Sequence, residues 1–203
     1  MIDTDGDGVS DQCDPRLTTP GDKIVAFEGF AHGVPPTWNP AGTWTDDGSG
    51  DLVVANSAAI ATLTAFGIAS DHETVSTGLT ALVLGASSQF GVVDDRVDGS
   101  GVSCTQEFGI DGTTGARTEI LVLDFEGHAI LSDQPAAVAA NQPLTVALRH
   151  DITAFDCDIT NGSTTVDGSG TASIASGSAA IGMLMVGANA TVEFQWLMVV
   201  ANP

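Results

Sequence analysis

Apolar residues along this chain recur mostly with period two, in short runs separated by Gly, Asp, Ser and Asn clusters, so strands are predicted almost throughout. The clearest run is near the C-terminus. Val192, Phe194, Trp196, Met198 and Val200 alternate there with Thr191, Glu193, Gln195 and Leu197, which predicts a strand with the first set buried. Further strands are expected over 24–27, 52–54, 60–65, 74–84, 90–97, 102–110, 119–125, 144–150, 155–160 and 180–186. Between them lie turn clusters at 46–50, 98–101, 111–115, 161–162 and 167–170, the last reading Asp167-Gly168-Ser169-Gly170. Only 136–140 reads as a helical turn, and it is too short to shape a fold. Many short strands with frequent turns imply an all-β, antiparallel two-sheet sandwich.

Composition narrows the function. The chain has 203 residues, 43% of them hydrophobic, which suffices for a core and excludes an acidic disordered polymer. It carries 26 acidic and 5 basic side chains, a net charge of -21. Such a polyanion repels phosphate backbones and anionic lipid, so nucleic-acid and membrane-surface partners are excluded. The apolar stretch 174–200 is interrupted by Gly177, Gly182, Gly187, Asn189 and Glu193, unlike a spanning helix. Met1-Ile2-Asp3-Thr4-Asp5 has neither a basic nor an apolar leader segment, and the expectation is a domain taken from a longer protein.

The most specific segment is Asp3-Thr4-Asp5-Gly6-Asp7-Gly8-Val9-Ser10-Asp11-Gln12-Cys13-Asp14. As a twelve-residue calcium loop it puts Asp3, Asp5 and Asp7 at positions one, three and five and Gly8 at the sharp turn. The Val9 carbonyl, Asp11 and Asp14 then take positions seven, nine and twelve. Five carboxylates in one turn repel each other unless a cation joins them. Pro15 stops a helix from following, unlike in an EF-hand. The segment resembles a thrombospondin type 3 repeat, which implies bound Ca2+ in a structural, linker-stiffening role. Residues 1–22 are assigned to this loop and its linker, and 23–203 to a second domain.

In that domain, Ile24-Val25-Ala26-Phe27-Glu28-Gly29-Phe30, Trp38, Gly42-Thr43-Trp44 and Gly50-Asp51-Leu52 occur in the order of an opening jelly roll. The Gly91–Gly101 hairpin, the strands at 144–149 and 155–159, and the closing Ile181-Gly182-Met183 and Val192-Glu193-Phe194 runs continue that order. The segment resembles a laminin-G-like, or concanavalin A-like, sandwich. The resemblance implies binding of glycan or an extracellular protein. Some relatives with this architecture are glycoside hydrolases that carry E-x-D-x-x-E on one strand, and no such motif is present. Retaining hydrolysis needs two carboxyls roughly 5 Å apart. Glu119 with Asp124 or Glu126 falls on opposite strand faces, whereas Asp156 and Asp158 share one.

His32, His72, His128 and His150 lack zinc-ligand spacing, and neither a Gly-x-Ser-x-Gly elbow nor a phosphate loop occurs. Cys104 and Cys157 each sit among inward-facing apolar positions. A disulfide between them, on neighbouring strands, would close roughly 53 residues and contribute roughly 4 kcal/mol in the entropic account. Two buried thiols are the alternative, and Cys13 is left over. Trp196 and Trp44 are expected in the core, and Trp38, after Val34-Pro35-Pro36-Thr37, as an exposed sugar platform. A second calcium could sit at Asp46, Asp47 and Asp51, or at Asp94, Asp95 and Asp98. Asp94 and Asp95 with Arg96 could equally form a plain salt-bridged strand end; together with Trp38 these three are the candidate ligand contacts.

These observations lead to an expected non-catalytic, secreted or cell-surface module that binds Ca2+ and a glycan or surface partner within a larger assembly. A ligand-free spacer of a fibre or adhesin and a hydrolase are the alternatives. Salt adaptation would also explain acidity with a single lysine, but aspartate concentrates in Gly/Ser turns, where metal loops and Asx turns need it.

Overall fold

The computed structural model describes residues 2–67, 71–85, 87–96, 101–108, 116–124, 127–136, 139–172 and 178–202. The side chains of 56–60, 66, 95–96, 116–124, 127–129, 136 and 178–179 lie outside that description. Among the described residues there are thirteen strands and no helix. They are β1 (Lys23–Glu28), β2 (Asn39–Ala41), β3 (Trp44–Asp46), β4 (Leu52–Phe66), β5 (His72–Val83), β6 (Ser88–Arg96) and β7 (Gly101–Phe108). Then follow β8 (Ala116–Asp124), β9 (Gly127–Ala136), β10 (Pro143–Asp151), β11 (Ala154–Asn161), β12 (Thr164–Thr171) and β13 (Ser178–Ala201). All pairings are antiparallel.

The 24-residue β13 belongs to both layers. Residues 178–187 pair with β6, which continues through β7 and β8 to β9. Residues 191–201 pair with β5, which continues through β10 and β11 to β12. The break falls at Gly187 and Asn189, whose φ values of 152° and 60° turn the strand between the layers. Along the other edge of β13 lie β4 and then β1. The two layers fold face to face. Where β12 crosses β9, a Cβ on Gly170 would stand 2.5 Å from the Leu131 side chain, so only glycine allows that approach.

Strict alternation builds the core. On β10, Leu144, Val146 and Leu148 point inward, and on β11 Phe155, Cys157 and Ile159 do the same. They meet Phe90, Val92, Val102, Cys104, Ile181 and Met183 from the opposite layer. Cys104 and Cys157 are joined in a disulfide with Cα atoms 5.4 Å apart. Their strands, β7 and β11, are not ladder neighbours as expected but lie in opposite layers.

The pattern misled at two places. Asp167–Gly170, expected as a turn, is the middle of β12, where the glycines serve the close layer contact. In the second half of β13 the side chains packed into the core between the layers are Val192 and Phe194, then Leu197 and Val199, while Met198 and Val200 are buried on the opposite face. A register shift between Phe194 and Trp196 inserts one residue, and everything beyond it changes face. Trp196, expected in the core, therefore comes out on the other side. The 136–140 segment holds no described helix; Ala136 ends β9, and 137–138 lie outside the described residues.

Candidate functional site

The outer face of the β5–β10–β11–β12–β13 layer carries a groove of about 520 Å³. Ladder register orders this face in three rows, of which Trp196, Thr145, Met198, Ser76, Ala147, Asp158, Asp167, Thr74, Arg149, Asp156 and Ser169 line the groove. Trp196, Gly78, Thr145, Thr160 and Thr165 form one; Met198, Ser76, Ala147, Asp158 and Asp167 the next; Val200, Thr74, Arg149, Asp156 and Ser169 the third. Trp196 is half-buried, and its indole fills the space over Gly78, where a Cβ would come within 2.2 Å of Nε1. The bulge and the glycine together put an aromatic face on a polar sheet. Gln12, Cys13, Asp14 and Pro15 form the remaining wall.

The groove is electrostatically one-sided. Asp158 and Asp167 face each other across β11 and β12, with Asp156 two residues away, and Arg149 is the one basic side chain among the lining residues. Loss of hydration, followed by the charges of Asp167 and Asp156, pushes the Asp158 carboxyl above its ordinary value against the pull of Arg149.

The N-terminal loop, which leads into this wall, is closed by its own carboxylates, and Asp22 at its end is hydrogen-bonded to Asn202. Asp3 accepts from the Gly6 and Gly8 N–H groups, and Asp7 from Val9, Gly21 and Asp22. Val9 is buried. Carboxylate oxygens of Asp3, Asp5 and Asp7 converge within 4.8 Å of one another, and Asp5 Oδ2 is buried without a hydrogen-bond partner. Hard oxygen donors with one left unsatisfied fit Ca2+. Asp11 is drawn elsewhere: its two oxygens accept from the Thr4 N–H and hydroxyl at 2.8 Å each. Asp14 is also outside the converging trio. It is 8% exposed; Oδ1 accepts from the Arg16 N–H, and Oδ2 is buried without a hydrogen-bond partner. Burial first, then the proximity of Asp22 and Asp5, raises its pKa against the pull of that N–H. Arg16 also pairs with the buried Asp22. Burial pushes the Asp22 carboxyl up, but Arg16 and Asn202 outweigh it and hold it below its ordinary value.

The other expected site residues lie elsewhere. Trp38 is not an exposed platform: it is half-buried, packs edge-on to Phe30 at 6.0 Å and does not line the groove. Trp44 donates from Nε1 to the Ala41 and Thr62 carbonyls. Asp94 is no rim ligand. It is fully buried between the layers, 3.2 Å from His150 Nδ1, with Glu73 close by. The His150 ring donates from Nε2 to the Ile152 carbonyl at 2.9 Å and stacks on Phe155. The side chains of Asp95, Arg96, Glu119, Asp124 and His128 fall outside the description, and Asp98 and Glu126 lie outside the described residues altogether. In the 46–51 loop, Asp46 accepts from the Gly48 N–H, and the converging carboxylates are Asp47, Asp51 and Glu193.

No protein-family model matches the chain, and no curated protein matches it in sequence. Solved structures do. A mutant GH43 protein, BlXynB of Bacillus licheniformis, superposes with TM-score 0.70 and 14% identity over 87% of this chain and 39% of its own. This chain thus spans about two-fifths of that protein. The basic winged bean lectin solved with Tn-antigen gives TM-score 0.70 at 6% identity, covering 90% of this chain and all (100%) of the lectin. The carbohydrate-binding module CBM66 of Bacillus subtilis gives 0.58 at 15%, covering 78% and 92%. At such identities the likeness is one of fold: the chain is an all-β antiparallel sandwich, as the lectin and the carbohydrate-binding module are.

Proposed function

We propose that this chain is a non-catalytic, extracellular, calcium-stabilised module that binds glycan in the groove on its outer sheet face. The observation that carries the reading is Trp196, turned out of the core by the bulge and laid over Gly78 beside rows of Thr, Ser and Asp. An aromatic face bordered by hydroxyls and carboxylates suits a pyranose, whose ring presents C–H groups on one side and hydroxyls around its edge. The lectin and carbohydrate-binding folds it resembles support the same class of ligand. Asp3, Asp5 and Asp7, with the Val9 carbonyl, would hold Ca2+, in the manner of the thrombospondin type 3 repeat that the loop resembles. Bound calcium would neutralise the converging carboxylates and so fix the loop from which residues 12–15 continue into the groove wall.

Glycan-array screening followed by calorimetry tests this. The expected result is binding to at least one glycan class, weakened roughly tenfold or more in Trp196→Ala, because one lost aromatic contact is worth roughly 1–2 kcal/mol. No binding across the array would leave the spacer reading in its place. A hydrolytic reading has one observation in its favour, the Asp156, Asp158 and Asp167 set with its raised Asp158 carboxyl. Release of reducing ends from a bound oligosaccharide, lost in Asp158→Asn, would establish it; an intact ligand excludes it.

A further inference from the structure

Asp158 and Asp167 stand directly opposite each other on adjacent strands, an arrangement that destabilises a sheet. Asp156 follows on the same face, two residues before Asp158. Conflicts of this kind, kept where nothing in the fold requires them, are expected at sites that bind something. The opposite wall adds a second observation. Asp14, 8% exposed, lines that wall, and one of its carboxylate oxygens is buried with no hydrogen-bond partner. Across the floor from these acids lies the Trp196 face, the best partner among side chains for a cation as well as for a sugar ring.

Building on the glycan reading, we propose that the ligand is an oligosaccharide of free amino sugars, with ammonium groups seated between Asp158 and Asp167 and one ring stacked on Trp196. Three ladder steps separate β13 from β11, which is about 14 Å at the usual strand spacing. A single sugar therefore cannot reach both Trp196 and Asp158, and an oligomer laid across the strands can. Each ammonium relieves the repulsion between the facing carboxylates and forms charge-assisted hydrogen bonds, whereas a uronic acid or sulfated sugar meets the same carboxylates as like charges. Arg149 stands opposite Asp156 in the ladder, on β10, the side of β11 that faces Trp196.

The experiment is calorimetry at mildly acidic pH with three probes: a glucosamine hexamer, its fully N-acetylated counterpart, and a Lys/Arg peptide of equal charge. The glucosamine hexamer is expected to bind roughly tenfold or more tighter than the acetylated one, the scale of a charge-assisted hydrogen bond. That ratio shrinks with added salt and approaches one in Asp158→Asn/Asp167→Asn, whose fold is checked by circular dichroism. Equal or reversed affinities for the two hexamers would overturn the amino-sugar inference and leave the glycan reading standing. A peptide that binds as tightly as the glucosamine hexamer overturns it too, in favour of a basic protein partner. If no hexamer and no other glycan binds, both readings fail.

Discussion

Cys104 and Cys157 are both fully buried, and their bond ties β7 of one layer to β11 of the other. Replacing both with alanine removes that crosslink. For a separation of 53 residues the chain-entropy relation assigns the bond about 4 kcal/mol at 25 °C. A chain of this size loses 2–4 °C of Tm per kcal/mol, so C104A/C157A is expected to melt about 8–16 °C lower. Scanning calorimetry measures the shift, and urea titration at 25 °C gives the free energy directly, with the slope m as a check on the denatured state. Freed from the crosslink, the unfolded chain expands and m rises. The bond also sits behind the groove: Asp156 and Asp158 flank Cys157 on β11, so the variant loosens their spacing and weakens ligand binding beyond its effect on Tm. A Tm within about 3 °C of the parent would refute the reasoning, since it would mean that the layers hold their register without the crosslink.

Three further outcomes are expected. Gly78→Ala drives a Cβ to 2.2 Å from Trp196 Nε1, displacing the indole; it costs about 1–3 kcal/mol, shifts tryptophan fluorescence and weakens glycan binding. Calcium at a hundredfold excess over its Kd adds about 2.7 kcal/mol by mass action, read as a Tm that falls on chelation, and Asp5→Asn removes most of the effect. Asp158→Asn raises stability at neutral pH by a few tenths to about 1 kcal/mol, because it removes one of two like charges facing across the ladder. The sign follows from the raised carboxyl: its ionised form is the disfavoured one, so the penalty is full above its folded pKa and vanishes below its unfolded pKa. The stability advantage of the variant should therefore disappear as pH falls through the carboxylate range, and urea titrations along a pH series check it.

Much of the sandwich was legible because β10 and β11 alternate without interruption, and because Cys157 falls on the buried phase of β11 while Cys104 lies in the buried run of β7. The groove was hidden for a physical reason. From Trp196 to Val200 every residue is apolar, so the run carries no parity, and the inserted residue that turned Trp196 outward left no mark in β13 itself. The mark lay in β5, at Gly78, a glycine within a strand whose lost Cβ makes room for an indole. Gly168 and Gly170 misled in the opposite direction, since beside Asp and Ser they imitate a turn while serving the β9 contact. Asp94 looked like part of a charged strand end, and only the fold brings it to His150. Asp3, Asp5 and Asp7 were legible because their spacing alone makes them converge, while Asp11 was lost to Thr4.

The double membership of β13 bears on how the protein comes to be made. Its residues 178–201 supply a ladder partner to β1, β4, β5 and β6, and Lys23 pairs with Ala201 from the far end of the chain. During synthesis the twelve strands before β13 therefore leave the ribosome while both layers still lack the strand that joins them. Neither layer can close early, and the nascent chain must stay soluble with its sheet edges open until β13 appears. A charge of -21 suits that interval, since chains that repel each other are slow to pair edge to edge.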